Sequence, residues 1–192
     1  MIYYLIASIL IAVTALFART KRAVLAAGIL FYAVQIAAAG MLLWGGLYDT
    51  TSAAFFTFDA LGTLFYLLLV VVSMYVFGHS EAYLQGEDLR SYRLYFALLM
   101  LLTTAIAGAY FANNLAVTWI FLEATTLCSA GIIYHRRTAQ ALEAAWKYVF
   151  VCSTGIAMAY LGILLLAAAT KCETLSYEAV AEAASSGNPL YL

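Results

Sequence analysis

Three ionisable residues stand inside apolar stretches long enough to cross a bilayer. Glu123 lies in TWIFLEATTLCSAGIIY, and Glu143 and Lys147 lie in LEAAWKYVFVCSTGIAMAYLG. A charge at the bilayer centre costs about 2.5–3.5 kcal/mol on insertion scales, and carboxylates and lysines so placed are the usual groups of proton relays. Burial favours the neutral form of such a group and pairing favours the charged form, so a pair that forms and breaks is a proton switch. Glu143 and Lys147 share one helix face at i, i+4 spacing. At helical rise Glu123 lies about 18 Å, and Lys147 about 15 Å, from the polar ends of their segments. Two such charges on consecutive antiparallel helices are expected to compensate each other. Glu123 and Lys147 then act as relay partners, with Glu143 as an alternative partner for Lys147. Two structural readings compete with the relay. One is a buried ion pair that only fixes helix register. The other is a lysine that snorkels to the interface.

Other polar residues carry weaker signals. His79 and His135 each end an apolar segment, where an imidazole collects protons near neutral pH or simply anchors the helix at the interface. The pairs Thr103-Thr104, Thr125-Thr126 and Ser153-Thr154 bond to carbonyls, bridge helices, or hold water beside Glu123. Gln35 is a lone polar group that reads as a packing contact. Cys128 and Cys152 lie within apolar segments and read as small buried hydrophobes. No CxxC or Cys/His spacing points to zinc or an iron–sulfur cluster, so no metal and no cofactor are expected.

The elements that must position these groups are membrane helices. The chain has 192 residues, 66% of them hydrophobic and only 10% charged, against about half and a quarter in soluble domains. That balance excludes an ordinary soluble enzyme and a disordered chain. A net charge of −1 supplies no basic excess for nucleic acid. Apolar runs of about 20 residues without alternation favour helices over a barrel. The reading is an all-α membrane protein of about six spans. They run from about Ile2 to Ala18, Ala23 to Tyr48, Ala60 to Gly78, Tyr92 to Ala112, Leu115 to Tyr134 and Leu142 to Ala169. No basic residue precedes the first run, which therefore reads as a span and not as a secretory signal. Asp49–Phe58 reads as extended or hairpin structure at the surface. Asn113-Asn114 is a tight turn that makes the helices on either side antiparallel neighbours. Lys171–Leu192 opens polar, carries a short helix through SYEAVAEAA, and then meets the breakers Ser-Ser-Gly-Asn-Pro. The runs Ala37–Gly40 and Ala105, Ala107 and Gly108 read as close helix contacts.

Basic residues set the orientation. Arg19, Lys21, Arg22, Arg90, Arg93, Arg136 and Arg137 fall in alternate loops, while Asp49, Asp59, Glu173, Glu178 and Glu182 fall in the others. The positive-inside rule places the basic loops in the cytoplasm and both termini outside. The location expected is the cytoplasmic (inner) membrane of a prokaryote.

WIFLEATTLCSA followed by ALEAAWKYVFVCSTGIAMAYLGILLL resembles the antiporter-like subunits of respiratory complex I and its relatives. The wording LEATTL…LEAAWKY most resembles the hydrogenase-4 F-type branch of the group 4 membrane-bound hydrogenases. The resemblance covers roughly positions 55 to 190 and is strongest between about 92 and 165. It implies that Glu123 matches the family's fifth-helix Glu, and that Lys147 matches the sixth-helix Lys of some branches. It further implies a membrane subunit without a redox centre, which couples chemistry elsewhere in a hydrogenase or NADH-quinone oxidoreductase complex to proton or sodium movement. Its partners would be other membrane subunits, the lipid bilayer, and protons or sodium. The alternatives are a multisubunit monovalent cation/proton antiporter and a non-transporting scaffold. Family members carry two inverted five-helix repeats. The resemblance makes residues 1–80 leading helices, 92–170 the start of the first repeat and 171–192 an extracytoplasmic tail, all in one membrane domain. The family's broken helix with its central lysine and its second repeat would lie in a longer chain or a partner polypeptide.

Overall fold

The computed structural model describes residues 1–44, 55–170 and 174–186. Seven helices follow one another among them: α1 (Ile2–Phe17), α2 (Lys21–Trp44), α3 (Ala60–Tyr83), α4 (Leu89–Phe111), α5 (Leu115–Ile133), α6 (Ala139–Thr170) and α7 (Tyr177–Ser186). A single 3-10 turn, Tyr134–Arg136, joins α5 to α6. The helices α2 to α6 are long and apolar enough to cross a membrane, and α1 is a shorter apolar helix. The chain is an all-α membrane protein. At 1.5 Å per residue the 16 residues of α1 span about 24 Å, somewhat less than a hydrocarbon core of about 30 Å, and the 32 of α6 exceed it.

Capping explains the helix starts. Asp59 accepts from the Gly62 amide at the start of α3, and Asp88 accepts from the Arg90 amide at the start of α4. Asn114 accepts from the amides of Ala116 and Val117 at 2.9 and 3.4 Å. Each cap satisfies a donor that has no partner within its helix. Asn113 and Asn114 thus form the expected tight turn, and α4 and α5 run antiparallel and packed together. The expected extended segment Asp49–Phe58 is described only from Phe55. There it pairs with the end of α4, Phe56 opposite Ala112, through Thr57 N–H to Phe111 O and Asn113 N–H to Phe55 O. The expected tail helix forms as α7. Leu115 N–H donates to Leu175 O, and Tyr177 and Thr118 share a hydroxyl contact of 2.9 Å, so the tail returns to the α4–α5 end. The breaker cluster of the tail lies outside the described residues from residue 187 onward, as does Cys172.

The core lies around α4, which packs against α1, α2, α3 and α5. Phe96, Ala97, Met100, Ala107 and Phe111 are buried along it. The expected small-residue contact of α4 is real: a Cβ on Gly108 would collide with the Phe121 ring of α5. The matching expectation for Ala37–Gly40 is corrected. Ala39 is buried, but Ala37 and Gly40 are exposed and no atom lies within 4 Å of a Cβ on Gly40. The close approach of α2 occurs at Gly28, which accommodates the ring of Phe77. A run of four consecutive small residues turns through more than a full helical turn, so composition alone gives no clue to which of them faces protein.

Tyr66, Ser73 and Ser80 recur every seven residues on the buried side of α3, and each holds a neighbouring helix by a polar contact. Tyr66 and Tyr4 both donate to Gln35 Oε1, at 2.7 and 2.6 Å. Tyr32 donates to the Ser73 carbonyl, and Ser80 and Tyr95 share a contact of 3.1 Å. Gln35 is therefore the polar junction of α1, α2 and α3.

Candidate functional site

Glu123 stands near the middle of α5 and is half-buried against α6. Its carboxylate accepts a hydrogen bond from Ser153 Oγ at 2.8 Å. One turn earlier, Trp119 Nε1 donates to the Ile156 carbonyl at 3.0 Å, and its ring lies 4.5 Å from that of Tyr160. Both contacts belong to one antiparallel register that fixes Glu123 opposite Ser153. Trp119 carries no separate signal in the sequence, because a tryptophan in an apolar span reads as bulk.

Lys147 takes Glu143 as its partner, on the same face of α6. It precedes Ser153 by six residues, which is about 9 Å along the helix and roughly 240° around it. It therefore points away from Glu123. Among the described residues no ion pair joins Glu123 to Lys147, and the expected direct compensation between them gives way to two separate arrangements. A six-residue offset cannot keep two side chains on one helix face. The Lys147–Glu143 pair is largely open, with side-chain exposures of 74% and 65%. Trp146, Phe150 and Val151 beside it are exposed as well.

The two histidines differ. His79 is exposed and stacks on Tyr75. His135 is buried in the turn between α5 and α6, with Nδ1 2.7 Å from the Ile132 carbonyl and the ring 5.3 Å from that of Tyr95. Its Nε2 is buried with no partner among the described residues. Beside it, Arg136 bridges to Glu87 at 3.0 Å and covers the Tyr83 ring. Lys21 donates to the Glu87 carbonyl, and Arg93 donates to the Ala18 carbonyl. The three basic loops thus meet at one end of the bundle. Cys128 and Cys152 are free thiols, and among the described residues no group of His, Cys, Asp or Glu is arranged to hold a metal.

Residues 112–190 match the family model described as NADH:quinone oxidoreductase/Mrp antiporter, transmembrane. The chain is 30% identical over 118 residues to a Hydrogenase-4 component F homolog of Methylacidiphilum infernorum, an alignment covering 58% of this chain and 25% of the relative. Its fold matches a chain of the membrane-bound sulfane sulfur reductase, an archaeal respiratory membrane complex, with a TM-score of 0.76 at 19% identity. That match covers 97% of this chain and 39% of the other. The chain spans about a quarter of the length of the curated relative. Residues 112–190 are thus similar to the NADH:quinone oxidoreductase/Mrp antiporter membrane family, and the chain as a whole shares the fold of the archaeal respiratory-complex chain.

Proposed function

We propose that the chain forms the opening part of a proton-translocating unit in a hydrogenase or NADH-quinone oxidoreductase complex. The observation that carries this reading is a carboxylate, Glu123, held by a hydroxyl between two membrane helices. A carboxylate at that depth is costly, and residues so placed mark proton and ion pathways. Glu123 exchanges a proton, and Ser153 orients it. Lys147 passes the proton on when its bond to Glu143 opens. An open ion pair on an apolar membrane helix cannot face lipid without a large cost. Further protein or an aqueous cavity therefore covers it, in keeping with a half-channel completed by helices from outside these residues. His135 and His79 lie at the end where the basic loops meet and serve as proton entry. In this reading that end is cytoplasmic, both termini are extracytoplasmic, and the membrane is the inner membrane of a prokaryote. Residues 1–80 are leading helices, 92–170 open the first repeat and 171–192 form the outer tail. The chain itself performs no redox chemistry, and its partners are the other membrane subunits.

The test is Lys147→Ala in the assembled complex, read as protons moved per substrate turnover. The reading requires a clear fall, and unchanged proton movement contradicts it. A second reading, a subunit of a monovalent cation/proton antiporter, is favoured by the family description, which names both activities. Copurification separates the two: redox subunits accompany the first and are absent from the second.

A further inference from the structure

We propose that Arg90, Arg93 and Arg137 form a binding site for the phosphate headgroup of an anionic phospholipid at the end of the bundle where the basic loops meet. A pocket of about 180 Å³ lies there, lined by the three arginines with Leu16 and Leu94. Arg90 and Arg93 share a face in the first turns of α4 at i, i+3 spacing. Arg137 reaches the same pocket from the α5–α6 connection. Its backbone lies in the left-handed region, at φ 54° and ψ 29°, which a residue with a side chain rarely adopts. Leu16 comes from the last turn of α1, so three separate parts of the chain converge.

The charges at this pocket are not balanced by protein. Among the described residues no ion pair engages Arg90, Arg93 or Arg137, because Glu87 is bridged to Arg136 and the Asp88 carboxylate caps α4. Arg93 uses one Nη1 donor on the Ala18 carbonyl at 3.0 Å, while its Nε is buried with no partner. A buried guanidinium donor without an acceptor is costly, and a phosphate oxygen is the acceptor that fits its planar fork. Three arginines held together repel one another unless an anion lies between them. The leucine walls choose the source of that anion. They suit the glycerol and upper acyl carbons of a lipid, and basic pockets between membrane helices are typical sites for anionic headgroups. The site is separate from Glu123 and Lys147, so its failure would leave the relay reading untouched.

The experiment uses the intact membrane complex in nanodiscs of phosphatidylglycerol or of phosphatidylcholine, compared by electron cryo-microscopy and native mass spectrometry. In phosphatidylglycerol, headgroup density within hydrogen-bonding reach of Arg93 Nε and of Arg137 is expected, and in phosphatidylcholine it is absent. Arg90→Gln with Arg137→Gln, which leaves Arg93 and its helix contact intact, should lower retention of that lipid about thirtyfold. Equal density in both lipids, or unchanged retention in the double variant, overturns the proposal. Inorganic phosphate bound alone at the site, without lipid, overturns the assignment to a headgroup.

Discussion

At the scale of the residue, two polar groups in the membrane do different work. Glu123 accepts one hydrogen bond from Ser153. Ser153→Ala removes that donor and leaves the carboxylate. We expect proton movement by the assembled complex to slow about tenfold, the equivalent of one charge-assisted hydrogen bond, with assembly retained. Proton uptake by reconstituted complex checks this, and an unchanged rate would show that Ser153 does not orient the carboxylate. Gln35 binds two tyrosine hydroxyls, so Gln35→Leu leaves both without their side-chain acceptor. Interhelical hydrogen bonds in membranes average about 0.6 kcal/mol, so a stability loss of about 1 kcal/mol is expected in a thermal unfolding measurement, with transport intact. The sequence singles out Glu123, Glu143 and Lys147 because charge inside an apolar run is conspicuous. Ser153 is visible there only as one of several hydroxyls able to bond to carbonyls, bridge helices or hold water beside Glu123, and Gln35 only as an isolated polar group. Spacing places a residue along a helix, but the partner that completes its hydrogen bond lies on another helix.

At the scale of the element, span positions follow from hydropathy, and the turn between α4 and α5 follows from its two asparagines. Asn114 accepts from two amides at the start of α5. Asn114→Ala should therefore cost about 1 kcal/mol, read as a fall in melting temperature of the purified complex. The α4–α5 contact depends on the absence of a side chain at Gly108, where a Cβ would run into the Phe121 ring. Gly108→Leu should cost about 1–3 kcal/mol by overpacking and lower the yield of assembled complex. Normal yield would mean that the ring moves aside freely. Which way Lys147 points is not legible in the sequence. A helix that is apolar on most sides has no contrasting face from which its rotation can be read. Only the register set by Trp119 and Ser153 shows that Lys147 turns away from α5.

At the scale of the whole molecule, α4 lies at the centre of a packed bundle and α6 lies at its margin. Trp146, Phe150, Val151, Met158 and Leu165 remain exposed along α6, together with the Lys147–Glu143 pair. The membrane fold is legible from hydropathy, and the likeness to antiporter-type membrane subunits rests on two charged segments, both within the matched residues 112–190. The match covers 25% of the curated relative and 39% of the solved chain. The central claim is that Glu123 exchanges the transported proton. Its most direct measurement is proton movement by the assembled complex in proteoliposomes with Glu123→Gln, a change that keeps the acceptor for Ser153 and removes the exchangeable proton. We predict intact assembly and electron transfer with proton movement reduced at least about a hundredfold. Proton movement equal to that of the unchanged complex would contradict the claim and leave Glu123 as a packing residue.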